Sequence, residues 1–164
     1  MIRLSVSSVG LVEETGSVII VLRADELGRL LIMEVGLLEG RAIAMEAEGV
    51  RAPRPLTHDL MYQVIQSLGA QVASVRIRDF KEQTFFASIH LQQADGRETD
   101  VDARPSDAIA LALRSGAPVY ATDDVMEAAS LPEEELGDED EIIDDTPEGE
   151  EDEEEEEEED PVVH

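Results

Sequence analysis

TFFASIHLQQADGRETDVDARPSDAIALALRSG, residues 84–116, carries a whole folding unit in one stretch. TFFASIHLQQ and RETDVDA alternate apolar with polar residues, which is the period of a half-buried strand, and Ala94-Asp95-Gly96 between them supplies the turn of a hairpin. Pro105 then stands at an early helical position, and AIALALR runs to a stop at Gly116, so the spacing predicts a helix from about Pro105. Residues 17–49 follow the same order. SVIIVLR and RLLIMEV read as strands on either side of a turn at Asp25 to Gly28, and LLEGRAIAMEAEG places Leu38, Ala42 and Met45 at helical spacing before Gly49. A further strand precedes each unit, Ile2 to Val9 and AQVASVRIRDF (70–80).

The two units share Ala-Ile-Ala, at 42–44 and 108–110, an offset of 66 residues, and their turn glycines Gly28 and Gly96 lie 68 apart. Two readings account for this: an internal duplication with a two-residue gap, or the chance likeness of two alanine-rich helices that each follow a hairpin. Between the units, APRP (52–55) breaks the chain and Thr57 is a good N-cap for LTHDLMYQVIQSLG, whose Leu60, Val64, Ile65 and Leu68 form an apolar stripe. Pro118 to Ala121 predicts a short strand, and Asp123 to Ser130 a helical turn or two. The fold class expected is α+β: a duplicated strand-hairpin-helix unit with an extra central helix, ending in a disordered acidic tail. The expected domain covers 1–131 and the tail 132–164.

The chain has 164 residues, enough for one ordinary domain. It contains no cysteine, which excludes disulfides, thiolate metal sites and a cysteine nucleophile and suits a reducing compartment. The first residues reach Glu13 and Glu14 before any long apolar run, so neither a signal peptide nor a membrane span is expected, and the location expected is the cytoplasm. Of the 40 acidic residues, 21 lie from Glu133 to Asp160, and the remainder of the chain holds 19 acids against 12 bases. Eleven of those bases are arginine, a residue suited to bidentate carboxylate or phosphate contacts. Three Phe, two Tyr and no Trp leave no stacking platform for single-stranded nucleic acid.

Beyond Pro132 apolar residues thin out while like charges accumulate, so burial cannot offset the entropy of ordering that segment. Its run EEDEEEEEEED (150–160) reads as a solubilising tail, as a lure for basic proteins, or as a nucleic-acid mimic competing for the domain's own arginines.

Two polar constellations stand at predicted helix starts. Arg54-Pro55-Leu56-Thr57-His58-Asp59 gathers a cation, an imidazole and a carboxylate where free backbone N–H groups favour anions. His58 is the best-placed general acid or base, although a first-turn Asp is also ordinary dipole complementarity. Asp100-Val101-Asp102-Ala103-Arg104-Pro105-Ser106-Asp107 places Asp100 and Asp102 on one strand face, an arrangement by which carboxylates can hold a hard divalent cation. The plainer reading has Ser106 or Asp107 capping the helix, Arg104 paired to an acid, and Arg114 paired to Glu or Asp. Glu39, Glu46 and Glu48 can supplement a metal site or simply form a solvated helix face.

RPLTHDLM, TFFASIHL, DARPSDAIALALR and the following APVY, in that order, resemble the signature blocks of the bifunctional nuclease family. The resemblance covers about Met1 to Ala129 and excludes the acidic tail. It implies a compact α+β domain that self-associates and degrades DNA and RNA, with matching polar positions at Arg54, Thr57, His58 and Asp59 and at Asp102, Arg104, Ser106, Asp107 and Arg114. The roles inferred for them are a Mg²⁺ or Mn²⁺ ion on Asp102 and Asp107, with Asp59 nearby, and His58 moving a proton. Phosphate contacts fall to Arg54, Thr57, Arg104, Ser106 and Arg114. Nucleic-acid affinity would be weak and salt-sensitive because the domain is net acidic. Two other readings use the same residues: a non-catalytic oligomeric module in which the motifs are caps and ion pairs, and a binder of anionic metabolites at the two helix starts. A nuclease needs the polar set open in one cleft, whereas a structural network needs it buried and mutually paired.

Overall fold

A computed structural model of the chain describes residues 1–136, so the expected disordered tail lies outside the described residues from 137 onward. The elements run β1 (Ile2–Val12), β2 (Ser17–Ala24), β3 (Arg29–Val35), α1 (Leu37–Ala47), α2 (Thr57–Ser67), β4 (Ala70–Lys81), β5 (Thr84–Gln93), β6 (Glu98–Ala103), α3 (Pro105–Ser115), β7 (Val119–Ala121), α4 (Asp123–Ala129) and β8 (Ser130–Pro132). A single 3₁₀ turn, Glu133–Leu136, follows. This is the α+β architecture expected, with the hairpins and the third helix where the turn and cap residues put them.

The sheet has eight strands in the order β6-β5-β4-β7-β1-β2-β3-β8. Each half is a three-stranded antiparallel meander followed by a helix, β1-β2-β3-α1 and β4-β5-β6-α3, the repeated order that the sequence displays. The three-residue β7 joins the halves, antiparallel to β1 (Leu4 opposite Val119) and parallel to β4 (Val75 opposite Val119). The fold continues past residue 131: β8 pairs with β3, Arg29 donates to Ser130 Oγ at 2.6 Å, and the Glu133 N–H donates to the Gly28 carbonyl at 3.0 Å.

Alternating residues of the strands fill the core, among them Ile20, Leu22, Leu31, Val75 and Ile77, each fully buried. Each such aliphatic side chain contributes roughly 1.5–3 kcal/mol by leaving water. The helix α3 is the core's central rod: Ala108, Ile109, Ala110, Leu111 and Ala112 are all buried, which only small residues on several faces permit between two helices and a sheet. No helix among the described residues is long and apolar enough to cross a membrane.

Three local expectations are corrected. In α1 the buried positions are Gly40 and Ile43, while Leu38 is 78% exposed; the helix presents a bare backbone at Gly40 to Val18 of β2, a contact that hydrophobic spacing does not reveal. In α2 the stripe divides: Leu60, Val64 and Leu68 face outward, the last 77% exposed, while Ile65 packs against the core and His58 is the helix's buried residue. Thr57 does not cap α2. The N-cap is Leu56, and its N–H donates to the Asp59 carboxylate three residues on, at 2.8 Å.

Candidate functional site

The first turn of α2 meets the N-terminal half of α3, and α1 packs on α3 as well, so the two sequence blocks come together in space. Asp107 is the hinge of the arrangement. Its Oδ1 lies 3.0 Å from His58 Nε2, and its Oδ2 accepts from Arg104 Nε at 2.8 Å. Arg104 reaches on with Nη1 to Glu39 Oε1 at 2.9 Å. Next to His58, Asp59 accepts from Arg114 Nε at 2.5 Å, and Arg114 also donates to the carbonyls of Ala110 and Ala42, at 2.9 and 3.2 Å. The Arg114 side chain is only 4% exposed, and it ties α1, α2 and α3 to one guanidinium.

Burial works against ionising Asp107, but its bonds from Arg104 and His58 outweigh that and hold the carboxyl below the usual carboxylate range. Asp59 follows the same logic: burial opposes its charge, and the Leu56 N–H, the Arg114 guanidinium and the charge of Arg51 together depress it. Arg104 holds its proton more tightly than usual, first through Asp107 and then through Glu39. With Asp107 ionised, His58 Nε2 is the donor and Nδ1 carries the lone pair in the neutral ring. Nδ1 has no hydrogen-bond partner among the described residues.

Neither Ser106 nor Asp107 caps α3: the N-cap is Arg104, Asp107 turns to its cations, and no side chain caps that helix start. Arg104 and Arg114 are each paired to acids, as the plainer reading required. Arg54 and Thr57 are exposed and make no side-chain hydrogen bond or ion pair among the described residues. Arg54 lines a groove of about 410 Å³ with Arg51, Asp59, Tyr62 and Arg114.

The expected metal pair is not assembled. Asp102 sits on β6 at the sheet edge and pairs with Arg78, whereas both oxygens of Asp107 are engaged by His58 and Arg104. Asp100 and Asp102 do share a face, as the alternation required, but that face meets cations: Asp100 bonds His90 at 3.1 Å and approaches Arg76 at 3.9 Å. Among the described residues no three His, Asp or Glu side chains gather as a cation site would need. The residues present therefore do not fit a resident divalent ion on Asp102 and Asp107.

The larger cleft, about 830 Å³, opens at the N-terminal end of α3. Arg104, Ser106, Gly36 and Glu39 line its polar side, Phe80, Phe85 and Leu131 its apolar side, and Gln83 and Thr84 come from the β4–β5 turn. That turn is built from Glu82 and Gln83, both left-handed at φ 49° and 60°, a conformation usually left to glycine or asparagine. Glu39, named in the sequence only as a metal supplement or a solvated side chain, is thus the residue whose part was missed. The signal was its spacing three after Gly36 at a helix start, where a carboxylate folds back over the first turn.

The sequence model of the bifunctional nuclease domain matches residues 20–134. An uncharacterized protein of Mycobacterium tuberculosis is 42% identical over 113 residues, 69% of this chain and 66% of that protein. Bifunctional nuclease 1 of rice and bifunctional nuclease 2 of Arabidopsis thaliana are 27% and 28% identical over 104 residues, 61% of this chain. The chain spans just under two thirds of the mycobacterial relative's length and 31% of the plant proteins'. With that match extending over most of its length and the two polar blocks joined at Asp107, the chain belongs to the bifunctional nuclease domain family.

Proposed function

We propose that this domain hydrolyses phosphodiester bonds of DNA or RNA in the cytoplasm, with His58 as general base and Arg104 as the phosphate clamp. One observation carries the reading: the two oxygens of Asp107 hold His58 and Arg104, so a proton acceptor and an anion ligand stand one carboxylate apart. Asp107 accepts from Nε2–H and so leaves the lone pair of the neutral ring on Nδ1, the state a base needs. Arg104 keeps donors free for phosphate oxygens. Asp59 and Arg114 are positioning residues that hold the start of α2, and Arg54 offers a second phosphate contact in the smaller groove. Mg²⁺ or Mn²⁺ belongs to this reading as a companion of the nucleic-acid phosphates, since Asp102 and Asp107 already face cations. The net negative charge of the chain makes the encounter weak and salt-sensitive.

Labelled single-stranded DNA and RNA, incubated with purified protein and Mg²⁺, Mn²⁺ or chelator, test this. Losing a general base costs about 10²–10⁴-fold and losing a donor to developing phosphate charge about 10²–10³-fold, so His58→Gln and Arg104→Ala are each expected to abolish measurable cleavage, whereas Asp102→Asn retains it. Identical residual cleavage in all four proteins would mark a contaminating nuclease and end the catalytic reading.

A second reading, an oligomeric module, is favoured by α2. Leu56, Leu60, Met61, Val64 and Leu68 are all exposed along it, and from Leu60 to Val75 no residue is charged. Copies of so acidic a chain repel one another except through a neutral face, and a stripe at i, i+4 and i+8 is self-complementary about a two-fold axis. The occupant of this face is therefore a second copy. Sedimentation is expected to give a dimer for the native chain and a monomer for Leu60→Arg/Val64→Arg with an unchanged far-UV spectrum; a native monomer at high micromolar concentration would remove this interface.

A further inference from the structure

Ser106 is 6% exposed, and its hydroxyl has no hydrogen-bond partner among the described residues. Because no fully buried polar side-chain atom there lacks a partner, the hydroxyl opens onto free space, and the space that Ser106 lines is the larger cleft. It stands in the first turn of an eleven-residue helix whose start no side chain caps, so N–H groups point the same way. Arg104 is the N-cap of that helix and stands at the cleft's lip, one arm on Asp107 and another on Glu39. An unpartnered hydroxyl on a largely buried residue, an uncapped helix start and a guanidinium all line this one cleft, the donor set of an oxyanion site. Phe80 and Phe85 line the same cleft, their ring centroids 4.4 Å apart, and its 830 Å³ lies in the range of small-molecule sites.

Glu39 qualifies that site. Its carboxylate lies over Gly36, so closely that a β-carbon built there would stand 2.5 Å from Oε2, and it is bound to Arg104. A carboxylate on a guanidinium beside an open helix start occupies one of the contacts a phosphate would make.

We propose that this cleft binds a nucleoside monophosphate, its phosphate on Ser106, the first turn of α3 and Arg104 and its base against Phe80 and Phe85, and that Glu39 is an internal competitor that the phosphate displaces. The proposal rests on reading Arg104 as a phosphate ligand, but binding is measured without cleavage, so an inert domain can still satisfy it. Conversely, a chain that cleaves nucleic acid yet fails the measurement below leaves the nuclease reading standing and removes this one.

Calorimetric or NMR titration of the full chain with adenosine monophosphate, uridine monophosphate and inorganic phosphate provides the test. The nucleotides are expected to bind more tightly than inorganic phosphate because only they reach the aromatic wall. Loss of one charge-supported hydrogen bond is worth about tenfold, so Ser106→Ala weakens the nucleotide by about that factor and Glu39→Gln tightens it similarly. Gly36→Ala, which crowds the Glu39 carboxylate, shifts affinity in the same direction as Glu39→Gln. Glu34 lines the same cleft but is held by Ser17 rather than by Arg104, so Glu34→Gln, which removes the same charge, is expected to change little. No binding to the native chain or to Glu39→Gln, equal gains from Glu34→Gln and Glu39→Gln, or nucleotide affinity no better than that of phosphate would each overturn the proposal.

Discussion

Arg114→Met is expected to cost about 3 kcal/mol at neutral pH, the range for breaking a largely buried ion pair. It should lower the melting temperature by roughly 10 °C in a domain of this size. The guanidinium is nearly inaccessible, and its removal leaves the Asp59 carboxylate without its cation and takes away the bond that links α3 to the Ala42 carbonyl of α1. Methionine keeps the stem's packing, so the loss reports on the head group. The pH dependence gives the sign. Asp59 is depressed in the folded chain, so the pair's contribution is complete above the ordinary carboxylate value of 3.8 and disappears as pH falls through the lower folded value. Urea titrations of native and Arg114→Met protein should differ by the full amount near pH 7 and converge as the pH falls well below the ordinary carboxylate value. A difference that stays constant over that range would show that packing, not the ion pair, is what Arg114 supplies.

Gly40→Ala should be damaging although alanine is the better helix former. The propensity gain is about 1 kcal/mol. Against it, a β-carbon at residue 40 would lie 2.3 Å from Val18 Cβ and 2.5 Å from both its γ-carbons, far inside the 3.5–4.0 Å at which carbons rest. No rotamer of valine relieves a collision with its own β-carbon, so α1 must leave β2, and forced overpacking of this kind costs about 1–3 kcal/mol or more. Thermal denaturation is expected to show a net loss, and Val18→Ala in the same chain is expected not to restore it, because the closest atom remains. Rescue by Val18→Ala would mean that the helix lies farther from the strand than described.

The same contact explains how far the sequence could be read. Strands, hairpin turns and α3 were legible because alternation, Ala94-Asp95-Gly96, Pro105 and Gly116 each act locally. The buried face of α1 was not, since what brings Gly40 inward is the absence of a side chain, and Leu38 looked like the better core residue. In α2 only Ile65 of the apolar stripe turns to the core, and Leu60, Val64 and Leu68 face outward. His58 and Asp59 turn inward to partners 49 and 55 residues away, and no periodicity carries that information. The site divides in the same way. Arg104 and Arg114 could be expected to meet acids, but which acids depends on how three helices cross. Asp102 and Asp107 do not fit a shared ion because Asp102, near the end of β6, pairs with Arg78 of β4, a neighbour set by strand order.

Strand order also has a kinetic consequence. Each meander is made of local hairpins and can form early, but the strip that welds them, β7, comes at residues 119–121, and β8, which covers the free side of β3, follows at 130–132. During synthesis β1 and β3 therefore wait with open edges until nearly the whole domain has left the ribosome. The first meander's vulnerability to sticking to other nascent chains is set by the time taken to translate roughly one hundred further residues, about 5–20 s at common elongation rates.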